Sequence, residues 1–112
     1  MTDPLLSLLG MARRAGKLAP GYDAVLQSIR RGKARAVFIA SDISEKTAGN
    51  VCFCAQKAGV PLRRLACPMG ELSAAIGIKT GIAALEDQGF ARAALRRCEP
   101  YNAEETKEEP SL

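Results

Sequence analysis

Residues 36–40 read Ala36-Val37-Phe38-Ile39-Ala40, five apolar positions without a polar break. The run is too short for a helix and lacks the alternation of a strand with one wet face. It has the pattern of a strand buried on both sides, as in a mostly parallel sheet covered by helices. A chain with such a strand must supply helices to both faces of its sheet, and the segments around it are read on that condition.

Those segments carry clear start and stop signals. Asp3-Pro4 places a cap and a first-turn proline before Leu5, Leu8, Leu9 and Ala12, which recur at helical spacing, and Gly16 ends a helix over about 4–15. Lys17-Leu18-Ala19 reads as a short extended piece before the turn pair Pro20-Gly21. A second helix runs from about Tyr22 to Arg31 on an apolar face of Val25, Leu26 and Ile29, stopped by Gly32. After the 36–40 strand, Ser41-Asp42-Ile43-Ser44 supplies caps for a third helix with Ala48, Val51, Cys52, Ala55 and Ala58 on one face. Gly59-Val60-Pro61 stops it. Leu62 to Ala66 reads as an edge strand, because Arg63 and Arg64 put a charge on each face. Cys67-Pro68-Met69-Gly70 reads as a loop, Glu71 to Ile76 as a short helix, and Ile82 to Leu85 as a further strand. Asp87 caps a last helix with Phe90, Ala91, Ala94 and Leu95. Helices and strands that alternate in this way build an α/β layered domain. Its extent is residues 1–98, and residues 99–112 read as an acidic flexible tail.

The charges follow the same division. The 112 residues carry 16 Lys and Arg against 12 Asp and Glu, a formal +4. Glu99, Glu104, Glu105, Glu108 and Glu109 lie in the tail with Lys107 as its only base, so the body holds fifteen bases and seven acids, +8. A small body of that charge attracts polyanions, above all a phosphate backbone. The pairs Arg13-Arg14, Arg30-Arg31 and Arg96-Arg97 each fall in the last turn of an expected helix, where cations also complement the helix dipole. That ordinary role does not cover Lys17, Lys33, Arg35 and Lys79, which sit in loops or at element ends.

The expected chemistry is binding rather than turnover. There is no histidine, which removes the commonest general base and the commonest neutral metal ligand. Cys52 and Cys54 are too close for the usual zinc pair, and the four cysteines read as small apolar residues of a reducing compartment. Lys79-Thr80 is not a phosphate loop, because Ile78 stands where that loop needs glycine. No cofactor and no metal are expected. The leucines near the N-terminus are too few to span a membrane and are followed, not preceded, by arginines, so no secretory signal is read and a cytoplasmic protein is expected.

Four motifs in register carry a resemblance. Gly10-Met11-Ala12-Arg13-Arg14-Ala15-Gly16-Lys17-Leu18 resembles the opening of bacterial YlxQ-type proteins. The run from Gly21 through Arg31-Gly32-Lys33-Ala34-Arg35 and on to Ser41-Asp42 resembles the core of the kink-turn-binding ribosomal protein family of the L7Ae and L30e type. Gly59-Val60-Pro61 and Glu71-Leu72-Ser73-Ala74-Ala75-Ile76-Gly77 match it in order and spacing. The likeness covers about residues 5–97. It implies a three-layer α/β/α sandwich around a four-stranded mixed sheet, and a non-enzymatic, ribosome-associated protein that recognises structured, kink-turn-like RNA. Ribosomal RNA and ribosomal proteins are the implied partners.

The resemblance also implies a site. In the family, the loop that opens the second helix touches the bases at the kink. Here Gly21 matches the family glycine, Tyr22, Asp23 and Ala24 replace the usual Thr, Asn and Glu, and Gln27 stands where a Lys is frequent. The second contact loop corresponds to Cys67 through Leu72, with Met69, Gly70 and Leu72 at the RNA and Ala75, Ile76 and Gly77 in support. Arg13, Arg14, Lys17, Lys33 and Lys79 are expected to neutralise phosphates. From the residues alone, Tyr22 either stacks on a base or covers the core, and Asp23 either accepts from base amino groups or caps its helix. The altered Tyr22-Asp23-Ala24 and Gln27 positions motivate an alternative, a protein-binding adaptor of the same fold with reduced RNA recognition.

Overall fold

The computed structural model describes residues 3–98, so the acidic segment 99–112 lies outside the described residues. The element order is α1 (Pro4–Arg14), β1 (Leu18–Pro20), α2 (Tyr22–Arg30), β2 (Ala36–Ile39), α3 (Glu45–Ala58), β3 (Leu62–Arg64), α4 (Met69–Ile76), β4 (Ile82–Leu85) and α5 (Gln88–Arg97). The strands form one sheet in the order β1-β4-β2-β3.

Strand pleating sorts the core into two layers. Ala36, Phe38 and Ala40 point to one face together with Ala83 and Leu85, where α1, α4 and α5 pack with Leu5, Leu9, Leu72, Ile76 and Ala91. Val37, Ile39, Ile82 and Ala84 point to the other face, onto Val25, Leu26 and Ile29 of α2 and Ala48, Val51 and Ala55 of α3. Successive residues of a strand alternate sides, so a strand covered on both sides must be apolar throughout. This is the three-layer α/β/α arrangement with a mixed sheet.

Strand direction matches the mixed sheet that the resemblance implies, not the mostly parallel sheet that the apolar run alone brings to mind. The sheet is not mostly parallel: β2 pairs in parallel with β3, but β4 runs antiparallel to both β1 and β2. The apolar run at 36–40 reports helices on both faces, and burial on both faces does not depend on strand direction.

Capping follows the sequence closely. The Asp3 carboxylate accepts from the Leu5 amide at 2.9 Å, Ser44 Oγ from Thr47 at 3.2 Å, and Asp87 from Phe90 at 2.9 Å. Each satisfies a first-turn amide that has no partner within its helix. Three details differ. The extended piece at 17–19 is a true edge strand at 18–20, which tolerates Pro20 because an edge residue can do without a ladder donor. Helix α4 begins at Met69 rather than Glu71, entered from Pro68. On α3, Cys52 and Ala58 are exposed, and only the narrower stripe Ala48, Val51 and Ala55 is buried.

The edge strand β3 is guarded by its own arginines. Arg63 Nη1 donates to the Leu62 carbonyl at 2.8 Å, and Arg64 Nη1 to the Ser41 carbonyl at 3.3 Å. Charged side chains folded onto an edge discourage a further strand from adding there. Among the described residues no helix is long and apolar enough to cross a membrane.

Candidate nucleic-acid interface

The start of β4 gathers three segments at one end of the sheet. The Ile82 carbonyl accepts the Gly21 amide at 2.9 Å and the Thr80 hydroxyl at 2.7 Å. This single oxygen ties the N-terminus of α2 to the loop between α4 and β4. Thr80 is buried, its hydroxyl accepts in turn from the Ile82 amide, and its backbone is held to α4 by Ser73 Oγ through the amide at 2.9 Å and the carbonyl at 3.1 Å. The loop therefore runs back along α4 and brings Lys79, which is exposed, to this end.

The α4 N-terminus lies beside it. The Met69 amide donates to Asp42 Oδ1 at 2.8 Å, so an acid from the β2–α3 loop caps α4 in place of a local side chain. A methyl group on Gly81 would lie 3.4 Å from Met69 Sδ, which measures how closely the two loops approach. Gly70 is exposed.

Gly21 sets the other side. Its φ of 99° and ψ of 155° belong to a region that side-chain-bearing residues scarcely enter. Among the described residues no side chain caps α2, so its first-turn amides, which lack helical partners by geometry, are left without a side-chain acceptor. Such a terminus presents amide hydrogens to an acceptor on a ligand. Asp23 does not take the capping role weighed for it and stands exposed, one turn before exposed Gln27. Tyr22 does not cover the core. The residue is 38% exposed, and its hydroxyl accepts from the Asn50 amide nitrogen at 3.3 Å.

The structure thus brings together Gly21, Tyr22, Asp23, Met69, Gly70 and Lys79, with Gln27 one turn further along α2. It does not bring the remaining expected residues to the same place. Leu72 is fully buried in the core and is corrected from a contact residue to a support, since its position on α4 faces the sheet. Lys17 and Lys33 belong to the opposite end of β4. The Lys17 carbonyl accepts from the Glu86 amide, and Arg35, two residues after Lys33, donates its amide to Leu85. Ile82 and Leu85 are three residues apart, about 10 Å along a strand. Arg13 Nη1 donates to the Ile76 carbonyl at 3.3 Å, so it closes the C-terminus of α4, while Arg14 is exposed on the same helix end. Sequence reasoning missed Asp42, Thr80 and Ser73 as the groups that hold the two loops. The visible signal was a threonine and a serine seven residues apart, which only a folded loop can bring into contact.

Cys67, whose carbonyl accepts the Ser41 amide, has its thiol pushed up by burial and then by the Glu71 carboxylate. Burial also pushes the Cys98 thiol up. A raised thiol stays protonated and unreactive at neutral pH.

Three kinds of similarity bear on this arrangement. Residues 3–94 match the sequence profile of the ribosomal protein L7Ae/L30e/S12e/Gadd45 family. The chain is 36% identical over 87 residues to the RNA-binding protein YlxQ of Enterococcus faecium, covering 78% of this chain and 84% of that protein. It is 35% identical over 89 residues to the RNA-binding protein YlxQ of Bacillus subtilis, covering 75% and 84%. Among solved structures, a protein of unknown function from Bacillus halodurans superposes with a TM-score of 0.83 at 25% identity, covering 88% of this chain and 99% of that one. The Giardia lamblia 15.5kD RNA binding protein superposes with a TM-score of 0.75 at 19% identity over 92% of each chain, a likeness of fold.

Proposed function

The chain belongs to the ribosomal protein L7Ae/L30e/S12e/Gadd45 family, and we propose that it is a non-enzymatic RNA-binding protein that recognises a sharply bent, kink-turn-like element, in the cytoplasm and in association with the ribosome. The observation that carries this reading is the shared Ile82 carbonyl, which fixes the uncapped start of α2 beside the α4–β4 loop and, through Met69, beside the start of α4. Two helix starts and a lysine-bearing loop, tied together by these hydrogen bonds, form a reader for nucleotides turned out of a helix.

The roles divide by chemistry. Gly21 lets the backbone approach closely, and the free amides of the α2 first turn donate to base or phosphate oxygens. Tyr22 offers a stacking surface. Asp23 accepts from base amino groups, and Gln27, one turn on, supplies a neutral donor and acceptor. Met69 and Gly70 pack against the opposite side of the bent strand. Lys79 takes a phosphate. Arg14, Lys17 and Lys33 meet phosphates only in an RNA long enough to pass the far end of the sheet. The YlxQ relatives, named as RNA-binding proteins, support the ligand class.

The test is a fluorescence-anisotropy titration with a kink-turn RNA and a straight duplex of equal length and composition, across a salt series. Tighter binding of the bent RNA, with affinity falling as salt rises, is expected. Equal affinity for both, or none for either, refutes the reading.

A further inference from the structure

Helix α3 carries a feature that the site just described does not use. Lys46, Asn50, Phe53 and Lys57 recur at spacings of four, three and four, so they form one stripe along the helix, and all four are exposed. Phe53 is 62% exposed, the most exposed of the large apolar side chains among the described residues. The Lys57 ammonium lies 5.6 Å from the centre of its ring, a cation–π distance. Asn50 joins the stripe to the proposed RNA site, because its amide donates to the Tyr22 hydroxyl at 3.3 Å.

We propose that this stripe is a second RNA contact that takes single-stranded nucleotides continuing from the bent element. It rests on the RNA-binding reading above. Tyr22 and Phe53 are exposed aromatic rings on either side of Asn50, and aromatic rings accept any base face without sequence preference. Phe53 is mostly exposed, so a base can pack on its ring beside the ammonium. Lys46 and Lys57 stand at the two ends of the stripe, eleven residues or about 16 Å apart, which spans several nucleotides. Their charge suits a phosphate backbone, and Glu45 beside Lys46 is the acid of α3 nearest the stripe. Continuity with the α2 start and the two lysines favour RNA over an apolar protein partner, which would prefer a wider patch without charges at its ends.

The experiment uses the full chain and two RNAs. One is a kink-turn hairpin with blunt ends, and the other is the same hairpin with four unpaired uridines added at one end, then at the other. Wild type is compared with Phe53→Ala, Phe53→Tyr and Lys57→Glu. The proposal expects one tailed RNA to bind at least about fivefold more tightly than the blunt one. Phe53→Ala and Lys57→Glu should abolish that gain, Phe53→Tyr should keep it, and affinity for the blunt RNA should stay unchanged. Equal affinity of wild type for blunt and tailed RNAs overturns this proposal and leaves the RNA-binding reading standing. No binding to any of them overturns both. A wild-type dimer that becomes monomeric on Phe53→Ala, with no tail effect, assigns the patch to a second copy and overturns the proposal.

Discussion

At the residue scale, Gly21 and Leu72 show how two positions in one expected site divide. Gly21 owes its identity to a backbone conformation that costs a substituted residue about 1–3 kcal/mol. No atom lies within 4 Å of a methyl group placed there, so the cost of Gly21→Ala is conformational and not steric. Urea denaturation should show that loss, and kink-turn affinity should fall with it because the first turn of α2 is displaced. Leu72 behaves oppositely. Its fully buried side chain predicts that Leu72→Ala costs about 2–5 kcal/mol of stability, with RNA affinity unchanged wherever the protein remains folded. A wild-type melting curve with lost affinity would return Leu72 to the interface. The sequence signalled Gly21 through its turn pair, but a leucine in a contact loop and a leucine in a core look alike until the helix start is known.

At the scale of elements, legibility tracked local chemistry. The caps Asp3, Ser44 and Asp87 act between residues two or three apart, so their positions were readable, as were the glycines after α1, α2, α3 and α4. Strand β1 reads only as an extended piece because three residues carry too little pattern, and its pairing with β4 spans more than sixty residues. The start of α4 was misplaced because its cap, Asp42, comes from twenty-seven residues away. Packing between elements was equally hidden. Helices α1 and α4 cross at Gly10, where a methyl group would stand 2.6 Å from the Ala75 carbonyl oxygen. The contact is to backbone and has no flexible end to move. Gly10→Ala should therefore destabilise the fold by about 1–3 kcal/mol, despite the better helix propensity of alanine. A thermal melt showing equal or greater stability would mean that α1 and α4 slide apart without penalty.

At the scale of the whole molecule, charge and site are not coextensive. The described body has a large basic excess, yet Lys79 is the one expected phosphate-binding lysine at the Ile82 end. Lys17 and Lys33 lie at the far end of β4, and Arg13 holds the end of α4. On the proposed reading, positive charge draws RNA to the surface as a whole and the two loops select its shape. Residues 99–112, with five glutamates and one lysine, offset that attraction. Deleting them should strengthen non-specific RNA binding at low salt, read as tighter binding of a straight duplex, and the gain should fade as salt rises. Equal or weaker binding after deletion would remove the tail as an electrostatic competitor.

We propose that shape recognition occurs at the end of the sheet where Ile82 joins α2 to the α4–β4 loop. Backbone amide NMR shifts on titration with a kink-turn RNA test it most directly. The largest shifts are expected at Gly21, Tyr22, Asp23, Met69, Gly70 and Lys79, with Lys17 and Lys33 little changed. Shifts centred on Lys17, Lys33 and Arg35, with Gly21 to Asp23 unmoved, would contradict it.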